Sequence, residues 1–486
     1  MTGVLLAGAR IPGAADAVDI AIEGGAITAI VPAGRGNAAG ERIDLDGRWV
    51  TPGLWDAHIH AVQWVTAERR VDLSAAGSAA ETLRIAATAL ADAAAGRPVI
   101  GYGFRDALWG DVPTAAEIDR VAGERVVILI SGDLHCAWIS AAAARVLGVE
   151  REAGGFVREA AWFAVHGRLD ELDPLTSDDF RRATEAAARR GVVGVVDFEN
   201  DDNLAQWPAR VAAGVTSLRV SAGVWPDRVE AAIAAGLRTG DALEPSGLVR
   251  MGPLKIVVDG SLNTRTAWCW DPYPGFAPGA RGACGEVTVP PERLVELLRR
   301  AKEAGIGAAV HAIGDRANTV VLDAYERVGM TGTIEHAQLV RDEEFARFAA
   351  LGLIASVQPE HAMDDRDVAD RHWAGRTGRA FAFGSLLRAG AELRLGSDAP
   401  VAPLDPWQAI ASAVGRERDG REAWHPEQRI PVADALRAGM RSEIAVGAPA
   451  DIAVVEADPL TAPLDVLRAM PVAATFLAGR ATHRAL

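Results

Sequence analysis

Residues 52–60 read Pro-Gly-Leu-Trp-Asp-Ala-His-Ile-His, an apolar run that leaves a Pro-Gly turn and ends on His58 and His60. In an extended strand, side chains two apart point to the same side, so both imidazoles can face one way and share a metal ion. Alone, the His-x-His spacing decides little. The residues further along the chain decide it.

Downstream, short apolar runs alternate with alanine-rich, helix-prone stretches, which predicts βα units and a parallel sheet buried on both faces. Eight strands are expected, at 54–60, 192–198, 218–224, 254–259, 307–312, 333–336, 354–358 and 393–397. Segments 291–304 and 342–351 have the length and apolar spacing of amphipathic helices. Eight repeats favour a closed (β/α)8 TIM-type barrel over an open sheet. Residues 52–437 are assigned to it.

Ligand-type side chains stand at the ends of these runs: Lys255 or Asp259 on the fourth, His311 on the fifth, His336 on the sixth and Asp398 after the eighth. Of ten histidines in 486 residues, four therefore fall where strands converge on one barrel mouth. Glu199, closing the second strand in VVDFENDD, is a reserve carboxylate ligand, and Asp197 is another. Asp201 and Asp202 read as a solvated acidic cluster. His166, His361, His372, His425 and His483 are assigned surface or core roles.

The ends of the chain read differently. Short β-prone runs separated by Gly, Pro and Asp turns occupy 1–51 and recur toward the C-terminus, so 1–51 and 438–486 are expected to form one composite β-sandwich domain. A stretch of about 130 residues between the first two barrel strands is too long for a crossover. It predicts an insert over about 64–190, with strand-like runs at 99–104 and 126–131, emerging on the C-terminal face to cap the site.

The balance of 65 acidic against 50 basic residues, net −15, argues against nucleic acid and anionic membrane surfaces as partners. Cys136, Cys269 and Cys284 show no paired framework and read as small buried hydrophobes of a reducing compartment. The opening MTGVLLAGARIPG lacks a basic n-region, and charges interrupt each apolar stretch well short of a membrane span, so a cytoplasmic protein is expected. A small molecule is the expected substrate, and a homodimer the assembly to test.

The runs TPGLWDAHIH, SGDLHCAWIS, LKIVVDGSLNTRTA, VHAIGDRA, IEHAQLV, SVQPEHA, LGSDAPV and GAPADIAVVEADP together resemble the amidohydrolase superfamily. Over nearly the whole chain they are similar to its third family, which includes N-substituted formamide deformylases. The resemblance implies a divalent metal, with zinc the expected ion and one or two per chain. It implies that His58, His60 and Asp398 hold one ion, that His311 and His336 hold a second, and that Lys255 is carbamylated by CO2 to bridge them. The alternative for Lys255 is a buried ion pair with Asp259.

Metal-activated hydroxide would then attack a C–N bond other than a peptide bond, with Asp398 as general base and acid and His336 beside it. Asp133, His135 and Trp138 match a family run that ends in Asn where this chain has Ser140, and are expected to contact substrate; Trp138 reads equally as a core aromatic. Trp109, Trp268 and Trp270 are expected to line the pocket, with Arg265 pairing an anionic group. Asn263 and Thr264 replace the family's more frequent Gly and Ser.

Three other readings compete. A mononuclear aminohydrolase would carry a glutamate where this chain has Gly314, a non-catalytic barrel would have lost ligands, and a nucleotide-binding protein would need a phosphate loop that VDGSLNT and VHAIGD do not supply.

Overall fold

The computed structural model describes residues 3–37, 40–106, 109–132, 135–277 and 279–486. The chain divides into two compact units, one of Met1–Gln63 with Arg181–Leu486 and one of Trp64–Phe180. Among the described residues, no helix is long and apolar enough to cross a membrane.

The first unit holds an eight-stranded parallel sheet in sequence order: β1 (Leu54–Ile59), β2 (Val192–Asp197), β3 (Arg219–Val224), β4 (Val249–Val257), β5 (Ala308–Ala312), β6 (Gly332–His336), β7 (Ile354–Val357) and β8 (Glu392–Leu395). Just past the end of β8 the sheet turns back on β1: Asp398 donates its backbone N–H to the His58 carbonyl at 2.7 Å, and His60 donates to Ala399 at 2.9 Å. The result is a nearly closed barrel. All six residues of β2 are buried, as expected of a strand covered on both faces.

β4 departs from expectation by beginning at Val249 instead of 254. Exposed Arg250 and the side-chain-less Gly252 interrupt the apolar run there, yet the backbone still pairs with β3 from Val220↔Val249 onward. Lys255 consequently sits inside β4, paired with Ala309 of β5, and Asp259 lies beyond its end. The expected helix over 342–351 begins as a 3-10 turn, Asp342–Glu344, and continues as Phe345–Ala350. The helix Pro291–Ala304 starts with Pro at its first position and stops at left-handed Gly305, and Asp315–Val328 stops at left-handed Gly329.

The ends of the chain meet in two four-stranded sheets. One contains Val4–Ala9, Val18–Glu23, Ala26–Pro32 and Glu41–Asp44; in the other, Trp49–Pro52 pairs antiparallel with Ile452–Val455, beside Val472–Leu477 and Arg480–Arg484. Leu6, Ile20 and Ile43 of the first share one apolar cluster with Val50, Ile452 and Phe476 of the second. Contacts with the barrel are extensive enough that both sheets belong to the same compact unit. One tie is ionic: Arg219 of β3 donates to both carboxylate oxygens of buried Asp451, at 2.6 and 3.0 Å, and Asp451 also accepts the Ala478 N–H at 2.8 Å.

The second unit carries a five-stranded sheet, ordered Phe156–Arg158, Cys136–Ile139, Val127–Ser131, Val99–Phe104, Val71–Asp72. Two of these strands fall on the runs read from the sequence. A capping box at Thr114 and Glu117 starts its helix Ala115–Ala122.

Removing the Asp451 carboxylate leaves a guanidinium and a backbone N–H without their acceptor. Asp451→Ala should therefore lose about 2 kcal/mol of stability, read as a lower midpoint in urea unfolding followed by tryptophan fluorescence.

Candidate active site

The strand ends carry three carboxylates whose work is structural. Asp56 Oδ1 accepts the backbone N–H of His58 at 3.0 Å and of Ser397 at 2.9 Å, joining β1 to the end of β8, and burial pushes its carboxyl up to about 6. Asp197 accepts from Ala61 N, Glu199 N and the Trp207 indole at 3.0, 2.9 and 2.7 Å. Asp259 accepts from Ile313, Gly314 and Trp268 at 3.0, 2.8 and 2.8 Å, and burial pushes it up to about 7. These bonds fix the loops around the mouth. Glycine is required where the backbones close up: a Cβ on Gly396 would lie 2.8 Å from His58 N.

Into that frame project the histidines. His58 is fully buried, and its Nδ1 lies 2.7 Å from Glu335 Oε2, so Nδ1 carries the proton and Nε2 keeps its lone pair. His336 Nδ1 likewise lies 2.8 Å from Gln358 Oε1. One ligand atom each from His58, His336 and Asp398 all fall within 4.8 Å of one another. Asp398 Oδ1 stands 3.2 Å from His60 Nε2 and 3.5 Å from His58 Nε2. The His311 ring packs edge-on against His336 with centroids 4.5 Å apart, while its Nε2 donates to the Gly260 carbonyl at 3.1 Å.

Burial keeps these rings neutral. It holds His58 and His336 well below the usual histidine range, and brings His311 down to about 4. Burial would raise Asp398, but the surrounding imidazoles, His58 foremost, hold its carboxyl well below the usual range. The backbone is strained at the same places: His336, Ala337 and Asp398 have φ of 72°, 42° and 58°, in the left-handed region that side chains disfavour.

Lys255 is buried with Nζ 3.1 Å from His58 Nε2 and 4.4 Å from the Phe198 ring centroid, and burial brings its ammonium down to about 8. Its close neighbour is thus His58; Asp259 is engaged with backbone N–H groups and lies 3.5 Å from His311. Glu199, the reserve ligand, accepts from Val62 N, Gln63 N and Asn200 N at 3.0, 3.1 and 3.1 Å.

The residues expected to contact substrate are more scattered. Arg265 is exposed, at φ 57°, with its guanidinium 5.5 Å from the Phe276 ring. Trp268 and Trp270 bracket Arg316, at 4.6 and 4.7 Å. In the second unit, Trp138 is fully buried in a core with Phe104 and Phe156, and Trp109 packs against that core. His135 is exposed with Nδ1 3.1 Å from Glu159. Asp133 lies outside the described residues.

Four site residues escaped the sequence reading. Glu335 precedes His336, and strand alternation sends neighbours to opposite faces; the left-handed φ of His336 brings both into one mouth. Asp56 and Gln358 act only through partners distant in sequence. His361, assigned a surface or core role, is buried with Nε2 4.0 Å from Asp398 Oδ2. Its place four residues beyond β7 was the available signal.

With this geometry in view, comparison with known proteins is informative. A model of the amidohydrolase family matches residues 41–483. The chain is 30% identical over 437 residues to the protein LONG AFTER FAR-RED 3 of Arabidopsis thaliana, covering 81% of this chain and 73% of that one. It is 27% identical over 504 residues to an N-substituted formamide deformylase of Arthrobacter pascens, covering 92% and 90%. Among solved structures, an uncharacterized metal-dependent hydrolase of Pyrococcus horikoshii superposes with a TM-score of 0.76 at 25% identity, covering 96% of this chain and 99% of that one.

Because Glu335 orients His58 and raises its basicity, Glu335→Gln should weaken metal affinity by about tenfold, measured by competition against a chromogenic chelator, with the circular dichroism spectrum unchanged.

Proposed function

This chain belongs to the amidohydrolase family, and on that premise we propose that it is a metal-dependent hydrolase cleaving a C–N bond of the amide, N-acyl or N-formyl type. The observation that carries the reading is the convergence of His58, His336 and Asp398 within 4.8 Å. Two neutral rings, each with Nδ1 bound elsewhere, turn lone pairs toward an ionised carboxylate. Donors gathered this way, without protons of their own to share, fit a cation.

His58, His60 and Asp398 would hold one ion, and His311 and His336 a second. An ammonium at Lys255 would repel both, so we assign it as the carbamate that joins them. A bound divalent ion, zinc in this reading, supplies a Lewis acid that acidifies water and polarises a carbonyl. The chain's own groups do the rest. Asp398 accepts the proton of the attacking water and delivers it to the leaving nitrogen. Glu335 and Gln358 keep the two rings in the orientation that presents Nε2.

The deformylase relative supports an amide-like bond. Gly314 supports it too, because a Cβ there would meet the Trp268 carbonyl at 2.1 Å, leaving no room for an aminohydrolase glutamate at that position.

Plasma mass spectrometry should find one or two transition-metal ions per chain, and two should fall toward one in Lys255→Ala. A metal-free wild type would end this reading. In a screen of N-formyl, N-acyl, carbamate and lactam compounds, Asp398→Asn should lower kcat by about 10²- to 10⁴-fold on any substrate found.

Carbamylation requires the neutral amine. With the Lys255 ammonium down at about 8, the amine predominates above that pH and falls off below it. In metal-stripped protein at constant dissolved ¹³CO2, uptake into a carbamate NMR signal should slow about tenfold per pH unit below 8 and be absent in Lys255→Ala.

A further inference from the structure

The N-terminal end of the barrel, opposite the strand ends that carry the histidines, opens into a cavity of about 1070 Å³. Pro52 and Met440 on its wall flank the entry to β1, where Met440 bridges to Leu54. The whole wall belongs to the first compact unit. Leu436 and Leu460 bring the barrel's apolar cluster to it, and Val50 and Ile444 bring the cluster shared by the terminal sheets.

The chain carries a net charge of −15, yet this wall holds three arginines, Arg394, Arg437 and Arg441, against one carboxylate, Glu443. Two of the three are engaged. Arg394 donates to the Met440 carbonyl at 2.8 Å and pairs with Glu392, and Arg437 pairs with Asp434. Arg441 lies over the Trp55 ring, 4.2 Å from its centroid, and makes no hydrogen bond or ion pair among the described residues. Burial and the nearby Arg394 bring its guanidinium down to about 10, although the cavity leaves it open to solvent. On the same wall, the Thr51 hydroxyl also has no hydrogen-bond partner among the described residues.

A guanidinium laid on an aromatic ring has one face covered and its N–H edges free, the arrangement that takes a carboxylate in a planar, bidentate grip. One uncompensated guanidinium balances one negative charge. The apolar wall around it suits a hydrocarbon or aromatic body and leaves the extra oxygens of a phosphate without partners. We propose that this cavity binds a monocarboxylate with an apolar body, its carboxylate on Arg441 and its body along Leu436, Ile444 and Leu460. The site needs neither the metal nor the reaction at the other end of the barrel. Glu335 and Asp56 attract the same arginine charge, a structural role that a lysine would also fill.

Decanoate is the probe, titrated calorimetrically into the purified protein, with acetate, decanol and decyl phosphate as comparisons. The wild type should bind one decanoate per chain, and should bind decanol, which lacks the charge, at least about tenfold more weakly. Acetate, which lacks the body, should be weaker still. Arg441→Met and Arg441→Lys should each weaken decanoate at least about tenfold, while Arg441→Lys keeps the wild-type midpoint in urea unfolding.

No saturable binding of decanoate to the wild type overturns the assignment. Wild-type affinity in Arg441→Met does so as well, and puts the ligand elsewhere, on the metal for example. Wild-type affinity in Arg441→Lys leaves Arg441 only its structural charge for Asp56 and Glu335. Decanol or acetate binding as tightly as decanoate, or decyl phosphate binding more tightly, rejects the apolar monocarboxylate as the class of ligand.

Discussion

The seam between β1 and the segment after β8 is the constraint on which the rest of this structure depends. The Asp398 N–H on the His58 carbonyl and the Asp56 carboxylate on both His58 and Ser397 bring the first and last barrel strands together. Because His58, His60 and Asp398 all sit on this seam, closing the barrel and assembling the site are one event. Gly396 permits the approach, and a left-handed Asp398 turns its side chain toward the imidazoles. Strain that a surface turn would relieve is held here by the parallel strands on either side.

Around the seam, charge is handled by assigning each buried carboxylate a separate task. Asp56, Asp197 and Asp259 spend their oxygens on backbone N–H groups and an indole, and so hold loops. Glu335 meets the one ring nitrogen of His58 that is not facing the mouth. Asp398 stands among three imidazoles, those of His58, His60 and His361. Sequence reading placed Asp197, Asp259 and Glu199 among candidate ligands because a carboxylate at a strand end looks the same in either role. Which N–H groups surround it decides the role, and those come from residues far along the chain.

The terminal sheets show the same division of labour on a larger scale. Trp49–Pro52 pairs with Ile452–Val455, and Asp451 beside that strand takes the guanidinium of Arg219 from β3. The strand that leads into β1 is thereby fixed by the other end of the chain. The first barrel strand therefore enters at a set position, and His58 arrives at its place in the mouth.

The amino-acid sequence by itself determined the repeating βα pattern, the eight strand positions within a few residues, and the strand-end placement of His58, His60, His311, His336 and Asp398. Strand pleat and apolar periodicity are local properties, and they can be read from neighbours a few residues apart. Tertiary structure alone decided that Lys255 lies against His58, that Glu335 and Gln358 hold the imidazoles, and that His361 faces Asp398. Each of these is a contact between residues on different strands or helices. Its existence follows from barrel closure and from left-handed φ at His336 and Asp398, and local spacing encodes neither.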